Sequence, residues 1–343
     1  MSLFGLGSRD VGIDLGTANI LVTMKGKGVV LKEPAVVATD IKTGKILATG
    51  FEAKEMLGRT PETIQAIKPL KDGVIADFTA TRLLLKNILK KVCQQYNSRR
   101  PRAVVSVPYG ITEVEERAVE ESITYAGARE VYLVEEPIAA AIGAGLPIEE
   151  PTGSMIVDIG AGTTEVAVIS LGGIVVSNSI RVAGDELDQD IINYIKKTKN
   201  ISIGDTTAEE IKKEIGCATS LMTEMSMEIR GRDLTTGLPK NVIVTSEEIL
   251  EALKDSISQI IEVIKATLEK TPPELAADLI EKGIVLSGGG ASIKNLDKLL
   301  AECTNIPVYV AEEPLECVVR GTGKVLEELE RLKPVLINKR KRK

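Results

Sequence analysis

The residues best suited to chemistry gather in two echoing stretches, "VGIDLGTANILV" (Val11–Val22) and "MIVDIGAGTTEVAV" (Met155–Val168). Each runs from an apolar strand into Asp, one apolar residue, Gly and a short polar segment, then returns to apolar and β-branched residues. A turn this rich in glycine aims successive backbone N–H groups at one point, and such a nest binds an anion. Threonine hydroxyls add donors. A carboxylate beside the nest would repel a phosphate directly, but it suits a hydrated Mg²⁺ that bridges the two. Asp14, Gly16, Thr17, Ala18 and Asn19 fit that role in the first turn, and Asp158, Gly160, Gly162, Thr163 and Thr164 in the second. Ala161 stands between the two glycines of the second. A single copy reads as an ordinary hairpin; two copies at matched places in the two halves of the chain point to a shared task.

Two further groups carry chemistry. "SGGGA" places Gly288, Gly289 and Gly290 between an apolar strand and a helix start. Such a run is either a simple strand–helix loop or a place where backbone approaches a base, sugar or phosphate. Glu135 and Glu136 end the strand "EVYLVEEP". Adjacent carboxylates on an extended strand alternate sides, so the two are expected to do different work. One could orient a water for attack on a terminal phosphoryl group, a reaction that depends on positioning and charge neutralisation. The bland alternative is a pair of solvated acids near a helix N-terminus. Competing phosphate motifs fail: "GTGK" (Gly321–Lys324) lacks the first P-loop glycine and has Val325 where Ser or Thr should stand. No GxGxxG follows a strand to open a helix.

The elements that must position these groups alternate along the chain. Val11–Met24 and Gly28–Lys32 read as strands, Thr79–Tyr96 as a helix, and "RAVVSVP" as a buried strand. Thr112 and Glu115 form a capping-box pattern opening a helix to Ala126, and Thr245 and Glu248 form another before a long apolar-faced helix. Ser220–Thr245 reads as strands with turns at Gly231–Asp233 and Thr236–Gly237. A helix is expected after "RVAGDELD", and a short one over Thr207–Ile215. Alternating strands and helices in both halves predict an α/β fold, duplicated as two similar lobes.

Composition narrows the function further. With no His among 343 residues, His-based triads and His metal ligands are excluded. The four cysteines show no CxxC spacing, which predicts reduced thiols in a cytosolic protein. Aromatics make up 3% and Trp is absent, which argues against stacking platforms for nucleic acid. No apolar run approaches the length of a spanning helix, and no signal-peptide pattern opens the chain. Two surface-seeking features remain: Leu3, Phe4 and Leu6 at the start, and the basic run Lys339–Lys343 against a net charge of −6. Near an anionic membrane each basic residue is worth about 1 kcal/mol.

Together the motifs resemble the actin/Hsp70/sugar-kinase ATPase superfamily, and within it the MreB family of bacterial actins. The resemblance covers about residues 9–332. It is carried by "GIDLGTAN", "PLKDGVIADF", "LVEEPIAAAIGAGLPIEEPTG", "VDIGAGTTEVAVIS", "IRVAGDELD", "EIRGRDLTTGLP", "TLEKTPPEL" and "LSGGGA" in order. It implies an actin-like ATPase fold with four subdomains around a cleft holding ATP or ADP and Mg²⁺. Those subdomains would be IA (1–32, 70–147 and 316–338), IB (33–69), IIA (148–183 and 243–315) and IIB (184–242), with 339–343 a basic tail. By the same resemblance Glu136 positions the attacking water, Thr163 helps orient it, and Asp14 and Asp158 hold the hydrated Mg²⁺. Gly184 and Asp185 would lie near ribose and phosphates. Glu209, Lys212 and Lys213 would approach the ribose and adenine opposite Gly288–Gly290.

The resemblance also implies slow ATP hydrolysis coupled to polymerisation into antiparallel paired filaments beneath the cytoplasmic membrane. There the filaments would work with membrane-bound rod-shape and cell-wall elongation proteins to organise wall synthesis. No nucleic acid is expected as a partner. Two residues or segments depart from the family pattern. Ala161 stands where Gly is usual, which is tolerable only if its φ is negative. Val92–Pro101 is polar and basic where some members carry a hydrophobic membrane-inserting loop, so a membrane contact would lean on Leu3, Phe4 and Leu6, aided by Arg99, Arg100 and Arg102. Two other readings stay open: a membrane-associated scaffold that binds ATP with negligible hydrolysis, and a small-molecule kinase of the same superfamily.

Overall fold

A computed structural model describes residues 9–337 and divides the chain into two compact units. The first holds the described residues up to Pro151, residues 169–174 and those from Leu315; the second holds 152–168 and 175–314.

The first unit opens with strands β1 (Val11–Leu15), β2 (Asn19–Met24), β3 (Gly28–Pro34), β4 (Val37–Asp40) and β5 (Ile46–Thr49), then helix α1 (Phe51–Met56). Strands β6 (Ile64–Ile67), β7 (Leu70–Lys71) and β8 (Val74–Ile75) precede the long α2 (Phe78–Gln95). There follow β9 (Arg102–Val107), α3 (Glu113–Ala126), β10 (Glu130–Glu135) and α4 (Glu136–Gly143). The main sheet has the order β10-β9-β1-β2-β3, with β1 antiparallel to β2 and parallel to β9. Leu84, Leu85 and Ile88 of α2 join Ile13 and Val105 of that sheet in one core. Each such side chain contributes about 1.5–3 kcal/mol by leaving water.

The second unit begins with β11 (Ser154–Ile159), β12 (Thr164–Ser170) and β13 (Gly173–Ile180), then α5 (Gly184–Lys199), β14 (Ile201–Ser202) and α6 (Asp205–Ile215). Strands β15 (Ser226–Asp233) and β16 (Pro239–Thr245) lead into α7 (Ser246–Glu269) and α8 (Pro273–Lys282). Last come β17 (Ile284–Ser287), α9 (Leu296–Thr304) and β18 (Val308–Val310), before α10 (Cys317–Glu327) returns to the first unit. Its main sheet runs β18-β17-β11-β12-β13. Strand for strand this is the order of the first sheet, so β1 and β11 are equivalents, as are β9 and β17. The duplication expected from the paired turns is thus present in the topology. A separate core around Ile191, Leu253, Ile260 and Leu286 holds this unit together.

Several local expectations need correction. Glu136 is not on the strand: β10 ends at Glu135 and α4 begins at Glu136, so strand alternation does not govern the pair. Helix α5 starts at Gly184, inside "RVAGDELD" rather than after it. Gly231–Asp233 is not a turn but the end of β15. Gly231 is needed there because a Cβ would collide with Ile201 of β14 and lie 2.7 Å from the Ser202 carbonyl. The actual turn, Leu234–Gly237, is held by Asp233 Oδ1, which accepts from the Thr235 and Thr236 N–H groups. Both capping boxes form as expected, at Thr112 and Thr245.

Among the described residues no helix is long and apolar enough to cross a membrane. Leu3, Phe4, Leu6 and the basic run Lys339–Lys343 lie outside the described residues. Of the basic residues expected to face lipid, Arg102 is committed elsewhere: its Nε donates to Asp10 Oδ2 at 2.8 Å, which raises the guanidinium pKa further.

Candidate functional site

In the first unit, Asp14 is the fourth residue of β1 and half-buried. The parallel register pairs Ile13 with Val105, so the next residues along, Asp14 and Ser106, come side by side. Ser106, itself buried, donates from Oγ to Asp14 Oδ1 at 3.3 Å. The turn that follows is tight: a Cβ on Gly16 would lie 2.8 Å from the Asn19 carbonyl. It is also braced from outside. Thr17 is buried, and its Oγ1 accepts from Gly73 N at 3.0 Å, leaving the hydroxyl proton to give. The Ala18 carbonyl accepts from Ala35 N at 2.8 Å, and Asn19 pairs with Pro34 across β2–β3. Glu136 is the first residue of α4, with Pro137 behind it, and is 8% exposed. A carboxylate at that position sits at the positive end of the helix dipole.

In the second unit the same arrangement recurs in tighter form. Asp158 faces Ser287 directly in the β11–β17 ladder, and Ser287 Oγ donates to Asp158 Oδ1 at 2.6 Å. Burial pushes the Asp158 carboxyl up to about 6, against the pull of the Ser287 hydrogen bond. Gly160 N donates to the Thr163 carbonyl at 2.9 Å and closes the turn. Ala161 is absent from the positive-φ residues, so its methyl group costs no backbone strain. The first turn of α5 reaches back to the loop: Gly184 N donates to Gly160 O at 3.1 Å and Asp185 N to Ala161 O at 2.7 Å. Two of the helix's otherwise orphaned N–H groups are thereby satisfied. Thr164 Oγ1 donates to the Val182 carbonyl at 2.7 Å. Gly162 is buried in this turn, and Thr163 is half-buried.

The remaining residues sort by helix register. Lys212 of α6 donates to the Gly184 carbonyl at 2.5 Å and pairs with Asp188 at 2.8 Å, so it is brought to the second turn. Lys213 instead pairs with Glu209 at 2.5 Å, one turn back on the same helix, with most of its side chain exposed. Two of the three glycines after β17 lie close against Ile159. Gly288 has a φ of 79°, and a Cβ there would enter the main chain of Ile159; a Cβ on Gly290 would meet the Ile159 side chain. Gly289 begins a single 3₁₀ turn. The glycine run therefore lets the loop lie against the residue after Asp158, and it immediately follows Ser287.

Among the described residues no cluster of three His, Cys, Asp or Glu side chains could hold a metal alone. The donors present do fit Mg²⁺, which dehydrates reluctantly, keeps several waters and takes one or two carboxylates plus phosphate oxygens. A buried carboxylate with a raised pKa such as Asp158 gains most from a nearby cation.

A family model described as MreB/Mbl protein matches residues 8–334. The chain belongs to the MreB/Mbl family. The cell shape-determining protein MreB of Escherichia coli (strain K12) is 53% identical over 331 residues, covering 95% of each chain. Among solved structures, MreB5 of Spiroplasma citri bound to ADP superposes with a TM-score of 0.91 at 41% identity, covering 96% of this chain and 99% of that one. The same protein bound to AMPPNP gives 0.89 at 40% identity, covering 95% and 98%. The fold is actin-like, and the family is one of cell shape-determining, actin-like ATPases. Ser106, Ser287 and Gly73 escaped the sequence reading. One Ser in an apolar strand carries no signal by itself; only the common pattern of "VVSVP" and "IVLSGGG", beside two equivalent Asp strands, could have flagged the pair.

Proposed function

We propose that this chain binds ATP with Mg²⁺, hydrolyses it slowly and polymerises into paired antiparallel filaments. These lie under the cytoplasmic membrane and organise cell-wall synthesis for rod-shaped growth, together with membrane-bound rod-shape and elongation proteins. The observation that carries the nucleotide reading is the equivalence of Asp14–Ser106 and Asp158–Ser287, each beside a glycine turn, in a chain of the MreB/Mbl family.

The backbone N–H groups of Gly16–Asn19 and Ala161–Thr164 would receive phosphate oxygens, with Gly160 closing the second turn through its bond to the Thr163 carbonyl, and Thr17 would add its hydroxyl proton. Asp14 and Asp158 would hold a hydrated Mg²⁺, whose charge would offset that of the phosphates. Glu136, buried at the start of α4, accepts a hydrogen bond from the attacking water and fixes its direction; Thr163 helps orient that water. Gly184 and Asp185 neighbour the ribose and phosphates. Glu209, Lys212, Lys213 and Gly288–Gly290 border the ribose and adenine, with Lys212 doing so from the position its Gly184 and Asp188 contacts impose. Head-to-tail contacts that never close into a ring extend indefinitely, which gives a filament. Attachment to an anionic membrane is assigned to Leu3, Phe4 and Leu6, with support from basic residues.

The test is phosphate release from Mg–ATP by the purified chain, alongside Glu136→Ala. Slow release that Glu136→Ala reduces by about 10²-fold, with nucleotide affinity retained, is the expected result. Unchanged turnover in the variant removes Glu136 from this role, and absence of nucleotide binding by the unaltered chain removes the reading as a whole.

A further inference from the structure

The two serines stand in equivalent places. Ser106 lies on β9 and Ser287 on β17, strands that occupy the same position in the two sheets. Each is buried, Ser106 1% exposed and Ser287 0%. Each donates its hydroxyl to the Oδ1 atom of the aspartate on the neighbouring parallel strand. A buried serine on an apolar strand needs a hydrogen-bond partner, and any carbonyl would serve. That both units spend the hydroxyl on the equivalent aspartate indicates a common task. With one oxygen held from the side, the swing of each carboxylate is restrained.

We infer that Ser106 and Ser287 are a matched pair of positioning residues, which set the carboxylates of Asp14 and Asp158 in the orientation that receives a hydrated divalent cation. The inference rests on the proposed Mg–nucleotide site. Neither serine touches nucleotide or reacting atoms; both act through the aspartates, as outer-shell partners commonly do for metal ligands. The two are unequal. Ser287 makes the shorter bond, 2.6 Å against 3.3 Å, to the more deeply buried aspartate, and the glycines behind it pack on Ile159. Ser287 therefore carries the larger share.

Calorimetric titration with ADP, in Mg²⁺ and again in EDTA, separates this role from a merely structural one. Ser287→Ala is expected to weaken Mg–ADP binding roughly 10-fold while changing binding in EDTA by less than about 2-fold. Ser106→Ala is expected to show the same selectivity with a smaller loss. Ser106→Thr, which keeps the hydroxyl, should restore most of the affinity lost in Ser106→Ala. Equal losses with and without Mg²⁺, or no loss in either alanine variant, would overturn the inference. Should the unaltered chain itself bind no ADP in Mg²⁺, it is the nucleotide reading that fails, and the two failures are distinct.

Discussion

Lys212 Nζ lies 2.8 Å from Asp188 Oδ1 and donates to the Gly184 carbonyl at 2.5 Å. One ammonium thus ties α6 to the first turn of α5, whose N–H groups in turn hold the Gly160 and Ala161 carbonyls. The second glycine turn is shaped by a helix that is the fifth element after it in the chain.

That link has a pH signature. Burial pushes the Asp188 carboxyl up to about 6 from an ordinary 3.8, against the opposing pull of Lys212. A raised folded-state pKa means the native chain binds more protons than the unfolded one between those values. The group's contribution to stability is full below about 3.8 and is lost as pH rises through about 6. Urea midpoints of the nucleotide-free chain and of Asp188→Asn should therefore diverge in the variant's favour between pH 5 and 7. A difference that does not vary with pH would contradict the assignment.

Helices α4 and α10 cross at glycines. A Cβ on Gly321 would fall within the Ala139 carbonyl, and one on Gly143 within the Cys317 carbonyl. Both obstacles are backbone and cannot rotate aside. Gly321→Ala is expected to destabilise by about 3 kcal/mol or more, at the upper end of overpacking costs. Chemical denaturation measures it; a loss under about 1 kcal/mol would show that the helices can separate without penalty.

Ala161 makes the opposite prediction. Its φ is not positive, so the glycine usual in the family would relieve nothing here. Ala161→Gly should cost about 0.5–1 kcal/mol through the added freedom of the unfolded chain, and leave ADP affinity unchanged. A gain in stability would mean that the methyl group is strained after all.

The α7 capping box offers a local check. Thr245 Oγ1 accepts from Glu248 N, while Glu248 Oε2 accepts from Thr245 N at 3.1 Å. Thr245→Ala should lower stability by about 1 kcal/mol. Glu248 also pairs with Lys199, so Glu248→Ala should cost more than loss of the cap alone.

What the sequence disclosed follows from range. The paired turns, both capping boxes and the apolar face of α7 are written in contiguous residues with a fixed period. Ser106 and Ser287 were hidden because their meaning comes from parallel neighbours, Asp14 and Asp158, more than ninety residues away. Lys212 and Lys213 could not be told apart because one step of helix register, about 100°, sends one to Asp188 and the other to solvent. Gly231 reads as a turn glycine, yet it is required by a close approach from β14, and Gly288 lies against Ile159; only the fold reveals either neighbour. Glu136 reads as the end of the strand because the residues do not mark where β10 gives way to α4; proline in a helix's first turn lets the helix begin one residue earlier, at Glu136.

The central claim is that nucleotide binding at these turns drives self-assembly. Electron microscopy of the purified full chain with Mg–ATP, with Mg–ADP and without nucleotide tests it most directly. Filaments that form with Mg–ATP and fail to form without nucleotide are the predicted result. A chain that binds nucleotide yet forms no filament under any of the three conditions would contradict it.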